Sequence, residues 1–326
     1  MRNSNIELLR IIATVMVLLL HANFGAFAPP NNESILCAPT AEFFRTLLES
    51  ACICCVNIFV FISGWFGIKL KAKSIVSFYF QCVFILALIY ILAAVIGEEF
   101  SVLQSIKETL VLSNRNWFIK SYLLLMILSP ILNSFAENTS RNMYKYVLIG
   151  FFTFQTIWGF LTGSAVFFEQ GYSTMSFVGL YLLAKYLRIY PIKLAKTNYI
   201  VTYFIISLLI GCIAYFASKL GYYSICCHMF VYNNPLVILS GISLFLYFTE
   251  VKIQSSIINW VAISCFGVYL LHTHPLVLEN LYESFFRNNA FINTPLCVLI
   301  ITFTFTVGII IDKMRIFVWN FCCKFI

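Results

Sequence analysis

An arginine and a histidine stand eleven positions apart inside the apolar stretch ELLRIIATVMVLLLHANF, residues 7–24. An α-helix advances by about 100° and 1.5 Å per residue, so Arg10 and His21 share one face and lie about 16 Å apart along its axis. Glu7 and Thr14 fall on the same stripe. A charge inside a membrane helix is costly and commonly marks a pathway or a site. The stripe therefore predicts a helix whose polar face is turned into a bundle.

Each of these two residues also has a simpler structural interpretation. Arg10 could extend its side chain to the membrane surface, and His21 could bond a neighbouring carbonyl group. Their common face favours a shared role over two independent placements. The N-terminus also resembles a secretory signal, with Arg2, an apolar core and AFA at 26–28. Because Glu7 and Arg10 immediately precede the core, we expect a retained first span.

Two later apolar stretches contain further polar groups. Asn57, in NIFVFISGWFG (57–67), would lie in mid-membrane, where it needs a protein hydrogen-bond partner because lipid offers none. The small residues around it could equally form a helix-packing face. His272 and His274, in FGVYLLHTHP (266–275), differ by two positions, so we expect at most one of them to face the interior. No acidic or cysteine partner has the spacing of a metal site, so no metal is predicted.

The composition indicates which elements must position these groups. Of the 326 residues, 61% are hydrophobic and 10% are charged, whereas a soluble domain has about 25% charged residues. The chain is therefore predicted to be a polytopic membrane protein of the all-α class. Its net charge of +8 is attributed to basic cytoplasmic loops rather than to nucleic-acid binding. The cysteines are expected to be small apolar filler, with a bridge left open among Cys37, Cys226 and Cys227.

Ten apolar stretches are long enough for a membrane-spanning helix of about 20 residues. Their predicted ranges are 6–28, 46–67, 75–97, 117–135, 146–164, 174–190, 198–217, 230–248, 257–278 and 294–312. Between the third and the fourth, FSVLQSIKETLVL (100–112) has the apolar spacing of a short helix on the membrane surface. No internal repeat and no appended soluble domain is recognised, so residues 1–326 are predicted to form one transmembrane domain.

The basic residues predict an orientation for this bundle. With the N-terminus in the cytoplasm, the cytoplasmic segments collect Arg2, Arg10, Lys69, Lys71, Lys73, Arg141, Lys145, Lys185, Arg188, Lys193, Lys196, Lys252, Lys313, Arg315 and Lys324. The outer segments collect Arg45, Lys107, Arg115, Lys120, Lys219 and Arg287. This excess has the sign expected of cytoplasmic loops. Both termini are therefore predicted to be cytoplasmic, in a multi-pass protein of the cytoplasmic (inner) membrane.

Four stretches together resemble the acyltransferase-3 family, integral-membrane O-acyltransferases that modify bacterial polysaccharides and other envelope molecules. They are LRIIATVMVLLLHA (9–22), IFVFISGWF (58–66), WFIKSYLLLMILSPILN (117–133) and SCFGVYLLHTHP (264–275). The segments GYSTMSFVGLYLLAKYLR (171–188) and NNPLVILSGISLF (233–245) are also similar to the sugar O-acetyltransferase branch. Each stretch is short, but together they follow the family's order over almost the whole chain.

The resemblance implies transfer of a short acyl group, acetyl above all, from acetyl-CoA to a hydroxyl of an envelope polysaccharide or its lipid-linked precursor. Arg10, at the predicted cytoplasmic end, would bind the donor's phosphates. His21 would act as the general base or would carry the acyl group transiently. Acetyl-CoA is then a co-substrate, and no bound cofactor is expected.

The other matched positions are assigned to binding. Asn57, Ser63, Trp117, Tyr122 and His272 are predicted to bind the substrate or the acyl donor. Ser63, Asn57 or Tyr122 could also donate a hydrogen bond to the developing oxyanion. Many family members have an acidic residue where Asn57 stands, and an amide cannot act as a base, so we expect it to position other groups. Many members also carry an extracytoplasmic hydrolase-like domain, which is not recognised here.

Two alternatives to an acyltransferase are also compatible with the sequence. A membrane transporter or flippase for a glycan or a small solute would also have many spans and an internal polar stripe. Such proteins often show repeated halves with broken helices in paired positions, which the sequence does not display. A scaffold subunit of an envelope complex would tolerate replacement of Arg10 and His21.

Overall fold

The protein is described by a computed structural model over residues 3–113, 115–192, 195–289 and 294–323. Within those ranges it is helical and contains no strand, which confirms the all-α prediction. The α-helices are α1 (Ser4–Leu20), α2 (Asn32–Cys37), α3 (Pro39–Cys52), α4 (Cys55–Phe66), α5 (Ala72–Val95), α6 (Val102–Thr109), α7 (Trp117–Asn138), α8 (Arg141–Phe154), α9 (Thr174–Ile189), α10 (Lys196–Lys219), α11 (Tyr223–Met229), α12 (Pro235–Glu250), α13 (Ser256–Ala262), α14 (Cys265–His272), α15 (Pro275–Val277), α16 (Ser284–Asn289) and α17 (Thr294–Cys322). Three π-helical segments span His21–Gly25, Gln155–Leu161 and Leu278–Glu283, and a 3-10 segment spans Val166–Gly171.

Six helices in the described ranges are long and apolar enough to cross a membrane, and a bent pair of helices would make a seventh. The six are Ser4–Gly25, Pro39–Phe66, Ala72–Val95, Trp117–Asn138, Lys196–Lys219 and Pro295–Cys322. The bent pair is Ser256–His272 with Pro275–Asn288. A multi-pass membrane protein is therefore supported, whereas the predicted number of ten spans is not confirmed.

The other three predicted spans correspond to shorter helices. α9 and α12 have 16 residues each, which gives about 24 Å of helix against an apolar bilayer thickness of about 30 Å. α8 has 14 residues before the chain changes to a π-helical segment. At the start of α12, the Asn234 side chain accepts the N–H of Leu236, and Pro235 occupies the first turn. Such capping residues, rather than hydropathy, determine where these helices begin.

The predicted ninth span, 257–278, is broken. α14 ends at His272, the next helix begins at Pro275, and the two halves of the pair are bent by 79°. Proline has no N–H with which to continue a helix, and Nδ1 of His274 accepts the N–H of Leu276. His272 and His274 are both buried, with exposed fractions of 0% and 4%. The expectation that at most one of them faces the interior is wrong, because they do not belong to one continuous helix.

The chain divides into two compact units, and each is described by itself. Unit 1 comprises Met1–Phe27, Lys71–Lys120 and Gln254–Ile326, and unit 2 comprises Ala28–Leu70 and Ser121–Ile253. The prediction that residues 1–326 form one domain stays a prediction.

In unit 1, α14 and α17 pack against each other, and both also pack against α1 and α5. α14 and α17 come close because Gly267 leaves room for Asp312, whose Cβ would lie 2.6 Å from a Cβ added at the glycine. Asp312 is fully buried. Its Oδ1 accepts hydrogen bonds from Gln81 at 2.8 Å and from Arg315 at 2.8 and 3.0 Å. The cost of burying this carboxylate is thus offset by a buried cation and an amide.

Unit 2 packs α4 against α9 and α10 against α3 and α12. α4 ends at a turn where Gly67 has a φ of +74°, which a residue with a Cβ rarely adopts. The side chain of Asn133 holds this turn, because its Nδ2 donates to the carbonyl of Ile68 at 2.9 Å. Its Oδ1 accepts from the hydroxyl of Tyr181 at 2.8 Å and from Nζ of Lys185 at 3.2 Å. We call these four residues around the turn the Asn133 network (Ile68, Asn133, Tyr181 and Lys185).

Three smaller expectations can be compared with the structure. A helix is present within the predicted surface segment, over Val102–Thr109. All twelve cysteines are free thiols, so the bridge left open among Cys37, Cys226 and Cys227 does not form here. The cytoplasmic placement of the termini stays a prediction, and three residues on which it rests, Arg2, Lys193 and Lys324, lie outside the described ranges.

Candidate active site

His21 and His272 are 251 positions apart in the chain and meet in unit 1. Nδ1 of His21 lies 2.7 Å from Nε2 of His272, which is a hydrogen-bond distance. The ring centroids are 4.9 Å apart and the ring planes are inclined by 37°. His272 is fully buried, and His21 is half-buried. We call this pair the histidine dyad; the sequence assigned both residues to one site but did not indicate their contact.

Each histidine of the dyad stands where a regular helix ends. α1 is α-helical as far as Leu20, and His21 begins the π-helical segment His21–Gly25. His272 is the last residue of α14, directly before the break at Pro275. π-helical turns inside α-helices occur frequently at functional sites. The dyad therefore joins two irregular points of unit 1.

The hydrogen bond within the dyad constrains its protons. Of the two nitrogens in contact, one must carry a proton and the other must accept it. His272 is the one hydrogen-bond partner recorded for the His21 ring in the described part of the chain, and Nδ1 of His272 is buried without a partner there. When Nδ1 of His21 donates to His272, Nε2 of His21 is left as a free base. In the opposite arrangement, the same Nε2 is a hydrogen-bond donor.

Tyr282 holds the dyad from a third element, the π-helical segment Leu278–Glu283. Its ring meets the His272 ring edge-on, with centroids 4.4 Å apart and planes inclined by 78°. Its hydroxyl donates to the carbonyl of Leu18 at 2.9 Å, about one turn before His21. Tyr282 thus positions both histidines. Sequence reasoning missed it because the predicted ninth span ended at residue 278, although LYESFF (281–286) is an aromatic-rich signal.

The guanidinium of Arg10 lies towards the other end of α1. It forms an ion pair with Glu7 at 3.3 Å, and the Arg10 side chain is 36% exposed. Glu7 and Thr14 are buried, as expected of an interior stripe, and the hydroxyl of Thr14 donates to the carbonyl of Arg10 at 2.9 Å. Because α1 is regular from Ser4 to Leu20, the face shared with His21 is preserved. The role of Arg10 in binding the donor stays a prediction.

Ser63 and Tyr122, two of the predicted binding residues, contact each other in unit 2. Their hydroxyl oxygens are 2.9 Å apart, and Oγ of Ser63 also donates to the carbonyl of Phe59 at 3.0 Å. Since serine has a single hydroxyl proton, Tyr122 must then be the donor to Ser63. Neither hydroxyl proton is free for an oxyanion in this arrangement, and a part in donor or substrate binding stays a prediction.

Asn57 and Trp117, the remaining predicted binding residues, each have a structural partner. Asn57 is fully buried in unit 2, and its Nδ2 donates to the carbonyl of Tyr232 at 3.0 Å. That bond gives the buried amide group a protein partner for Nδ2, whereas its Oδ1 has none among the described residues. Trp117 begins α7 in unit 1, and its ring lies edge-on to Phe118, with centroids 5.7 Å apart. Their predicted binding roles are untested.

A second buried polar cluster lies beside the helix break in unit 1. The carboxylate of Glu108 accepts hydrogen bonds from the hydroxyl of Tyr90 and from Nε2 of Gln104. Arg115 is 3.5 Å away and Nε2 of His274 is 3.9 Å away. Burial raises the pKa of Glu108, but the two hydrogen bonds and the neighbouring charges outweigh burial and hold this pKa below its usual value. The cluster ties α6 to the break that follows His272.

Comparison with known families now adds to this geometry. The model of an acyltransferase domain, acyltransferase 3, matches residues 3–313, almost the whole chain. The chain belongs to the acyltransferase-3 family. The search of curated proteins and the search of solved structures each found no match. The resemblance drawn from the four sequence stretches is thus confirmed at the level of the family, and the polysaccharide branch stays a prediction.

Because the chain belongs to the acyltransferase-3 family, the protein is a membrane acyltransferase. The reaction to which the dyad could contribute is therefore acyl transfer. The matched range includes Arg10, both histidines of the dyad and Tyr282. An acyl transfer to a hydroxyl needs a group that accepts the hydroxyl proton. Nε2 of His21 is a ring nitrogen that can do so while its other nitrogen is held by His272.

Proposed function

We propose that this acyltransferase-3 protein moves a short acyl group, acetyl above all, from acetyl-CoA to a hydroxyl of an envelope polysaccharide or its lipid-linked precursor. It would work as a multi-pass protein of the cytoplasmic membrane, with the donor supplied from inside. The observation that carries the proposal is the histidine dyad, in which one nitrogen of His21 is held at 2.7 Å from His272 and the other is left for a substrate.

The proposed reaction is a direct transfer. The acceptor hydroxyl loses its proton to Nε2 of His21 as its oxygen bonds to the carbonyl carbon of the thioester. The tetrahedral intermediate then expels the thiolate of CoA, which takes the proton from His21. The products are an ester and a free thiol, and His21 returns to its starting state. Throughout, His272 accepts the Nδ1–H of His21, as the carboxylate does for the histidine of a serine protease.

The donor's phosphates are assigned to Arg10. A guanidinium presents several N–H donors in a planar fork that matches phosphate geometry. Arg10 is partly exposed and lies on the same helical face as His21, about 16 Å away by helix geometry. CoA is an elongated molecule that carries its phosphates and its thioester at opposite ends. Binding along α1 would set the thioester towards the histidine.

A covalent relay is the alternative within the same function. Nε2 of His21 would attack the thioester and carry the acyl group as an acyl-imidazole before the hydroxyl attacks it. The free Nε2 supports this route as well as the direct one. The two routes differ in one respect, because only the relay releases free thiol from acetyl-CoA, in an amount equal to the enzyme, before any acceptor is added.

A transporter or flippase is the rival from another class, and the broken helix pair favours it in one respect. Transporters place binding sites at broken helices, commonly in two corresponding positions. The described ranges contain one such pair, Ser256–His272 with Pro275–Asn288. Family membership in acyltransferase 3 supports transfer chemistry over transport.

The test is a comparison of cells that differ only at His21. Cells that produce the wild-type protein should carry O-acetyl groups on their surface glycan, measured by NMR. Cells that produce His21→Ala in equal amount should have lost them. An unchanged O-acetyl content with the variant protein present in the membrane would remove His21 from the mechanism.

A matched control separates the loss of catalysis from the loss of the protein. His228 is a half-buried histidine of unit 2 whose ring stacks on Phe160, with centroids 4.4 Å apart. His228→Ala also removes an imidazole from an aromatic contact, but not from the dyad. The control cells should keep their O-acetyl groups.

A further inference from the structure

A carboxylate lies beside the dyad, in a hollow left by a glycine. A Cβ added at Gly25 would lie 2.9 Å from Oε1 of Glu283, 3.5 Å from Cβ of His21 and 3.7 Å from its Cδ2. Cδ2 is the ring carbon bonded to Nε2, the nitrogen that His272 leaves free. Glu283 and the reactive edge of His21 therefore bound the same small space, and the absence of a side chain at residue 25 keeps that space open.

The carboxylate of Glu283 is held by an ion pair with Arg287. Nη2 of Arg287 donates to its Oε2 at 2.7 Å, and Nε of the same arginine donates to the carbonyl of Ala26 at 3.0 Å. The Arg287 link thus joins the helix that carries Glu283 to the end of the π-helical segment that begins with His21. Among the described residues, Arg287 is the recorded hydrogen-bond partner of this carboxylate and occupies Oε2. Oε1 faces the hollow.

The π-helical segment Leu278–Glu283 places Glu283 beside the dyad. Glu283 is the last residue of the π-helical segment Leu278–Glu283, directly after Tyr282, which contacts His272. The two consecutive side chains therefore flank the dyad, one at His272 and the other at His21. Glu283 is 8% exposed. Burying a carboxylate to this degree costs free energy unless the carboxylate is paired. When only one of its oxygens is paired, the other can still accept a hydrogen bond from a ligand.

We propose that Oε1 of Glu283 is an acceptor-binding site that selects molecules with two neighbouring hydroxyls, as sugars have. This inference rests on the proposed function. One hydroxyl gives its proton to Nε2 of His21 and attacks the thioester. The adjacent hydroxyl donates a hydrogen bond to Oε1 of Glu283 and keeps its proton. Glu283 itself neither gains nor loses a proton.

The expected effects follow from the strength of such a bond. A hydrogen bond to a charged group contributes enough to change binding by about tenfold to a hundredfold. Because the contact is made to the bound acceptor before and during the reaction, its loss should appear mainly in the acceptor KM. Glu283→Gln removes the charge, and Gly25→Ala fills the hollow and displaces Oε1 of Glu283 without removing any titratable group.

The test uses the full chain in nanodiscs, with acetyl-CoA as donor and a pair of simple acceptors, trans-1,2-cyclohexanediol and cyclohexanol. Acceptor-dependent release of free thiol gives the rate. The wild type should prefer the diol, and Glu283→Gln and Gly25→Ala should each raise the KM for the diol about tenfold or more while the rate with cyclohexanol stays as it was. Glu279→Gln is the matched control, because Glu279 lies one turn earlier on the same segment and is exposed; it should behave as the wild type.

The outcomes separate the two proposals. If the wild type releases thiol, His21→Ala does not, and Glu283→Gln keeps the full preference for the diol, the acceptor-binding role of Glu283 is overturned and the proposed function stands. If the wild type releases no thiol with either alcohol, or if His21→Ala is as active as the wild type, the proposed function fails, and the Glu283 proposal fails with it. Should Gly25→Ala not fold, Glu283→Gln alone decides between these results.

Discussion

The histidine dyad of unit 1 and the Asn133 network of unit 2 use buried polar groups in opposite ways. In the network, both ends of the Asn133 amide are occupied: Oδ1 accepts from Tyr181 and Lys185, and Nδ2 donates to the carbonyl of Ile68. In the dyad, one hydrogen bond joins the histidines, and each ring keeps a nitrogen outside it. The network stabilises a turn of the chain, whereas the dyad leaves one nitrogen of each ring able to accept or donate a proton.

This difference indicates which group acts and which supports. The network stabilises one backbone conformation, here the turn at Gly67 with its φ of +74°. The dyad has the composition of a proton-transfer site, because each neutral imidazole has one ring nitrogen that carries a proton and one that accepts a proton. Changes to the dyad should therefore alter the rate and its pH dependence. Changes to the network should alter stability.

The largest effect is expected from the partner of His21 in the dyad. His272→Phe keeps an aromatic ring against Tyr282 but removes the acceptor for Nδ1–H of His21. The rate of thiol release should fall by about a hundredfold, within the range typical of general acid–base groups. The acid limb of the pH–rate profile should shift as well, because His21 loses the group that stabilises its charged form. His272→Gln, whose side-chain oxygen can accept, should restore part of the rate.

The control for this prediction is His228→Phe, since His228 makes a ring contact with Phe160 but lies outside the dyad. A His272→Phe protein with the wild-type pH profile would show that the dyad contact has no part in proton transfer.

The second effect concerns stability alone. Asn133→Leu leaves the hydroxyl of Tyr181, the ammonium of Lys185 and the carbonyl of Ile68 without their common partner. Removing one partner of a buried bond costs about 1–3 kcal/mol, so the unfolding midpoint in detergent should fall. The pH–rate profile of the folded fraction should stay that of the wild type. Asn138→Leu is the control on the same helix, because Asn138 is exposed and bonds only to Ser134 in the described chain.

If Asn133→Leu shifted the pH profile as His272→Phe does, the distinction between a supporting network and an acting dyad would be lost.

A smaller effect is expected at the ring that positions both histidines. Tyr282→Phe keeps the edge contact with His272 but removes the bond to the carbonyl of Leu18. A neutral hydrogen bond contributes about 1 kcal/mol, so the unfolding free energy should drop by that amount and thiol release by only severalfold. Tyr222→Phe, at an exposed tyrosine, serves as control. A complete loss of activity in Tyr282→Phe would mean that the hydroxyl takes part in the chemistry itself.

The smallest effect should appear only in acid, at Glu108. The pKa of this carboxyl is held below its usual value in the folded state, so its ionised form stabilises the fold above the ordinary pKa of 4.5. That stability is lost as the pH falls through the folded-state pKa. The wild type should therefore be more stable than Glu108→Gln at neutral pH, and the gap should narrow below pH 4.5. Thermal midpoints measured from pH 7 downwards test this.

The exposed Glu99 provides the control for that titration. Glu99→Gln should follow the wild type over the whole range, and a Glu108→Gln protein that did the same would show that the cluster beside the helix break contributes no pH-dependent stability.

The sequence was sufficient for those features that depend on regular helices. The shared face of Arg10 and His21 was predicted correctly because α1 is regular between them. The all-α class followed from composition, and the family followed from the order of short motifs. Each of these inferences uses either local geometry or the chain as a whole, and neither requires knowledge of which distant segments meet.

The features that the sequence could not supply depend on irregular backbone and distant contacts. The dyad joins residues 251 positions apart, and His272 and His274 are both buried because the helix breaks between them. Tyr282 and Glu283 were missed because the predicted span ended at residue 278, the first residue of the π-helical segment that carries them to the histidines. The ten hydropathic stretches do not correspond one to one with the long helices, since hydropathy does not register the capping groups that begin α12, and the number of ten spans stays a prediction.

The most direct test of the central claim, that His21 in the dyad accepts the hydroxyl proton during acyl transfer, is thiol release by the purified protein in nanodiscs. With acetyl-CoA and the cell's own extracted glycan, the wild type should release one free thiol for each ester formed. His21→Ala, folded and present in equal amount, should be slower by about a hundredfold or more. A His21→Ala protein with the wild-type rate, or a wild type that forms no ester, would contradict the account.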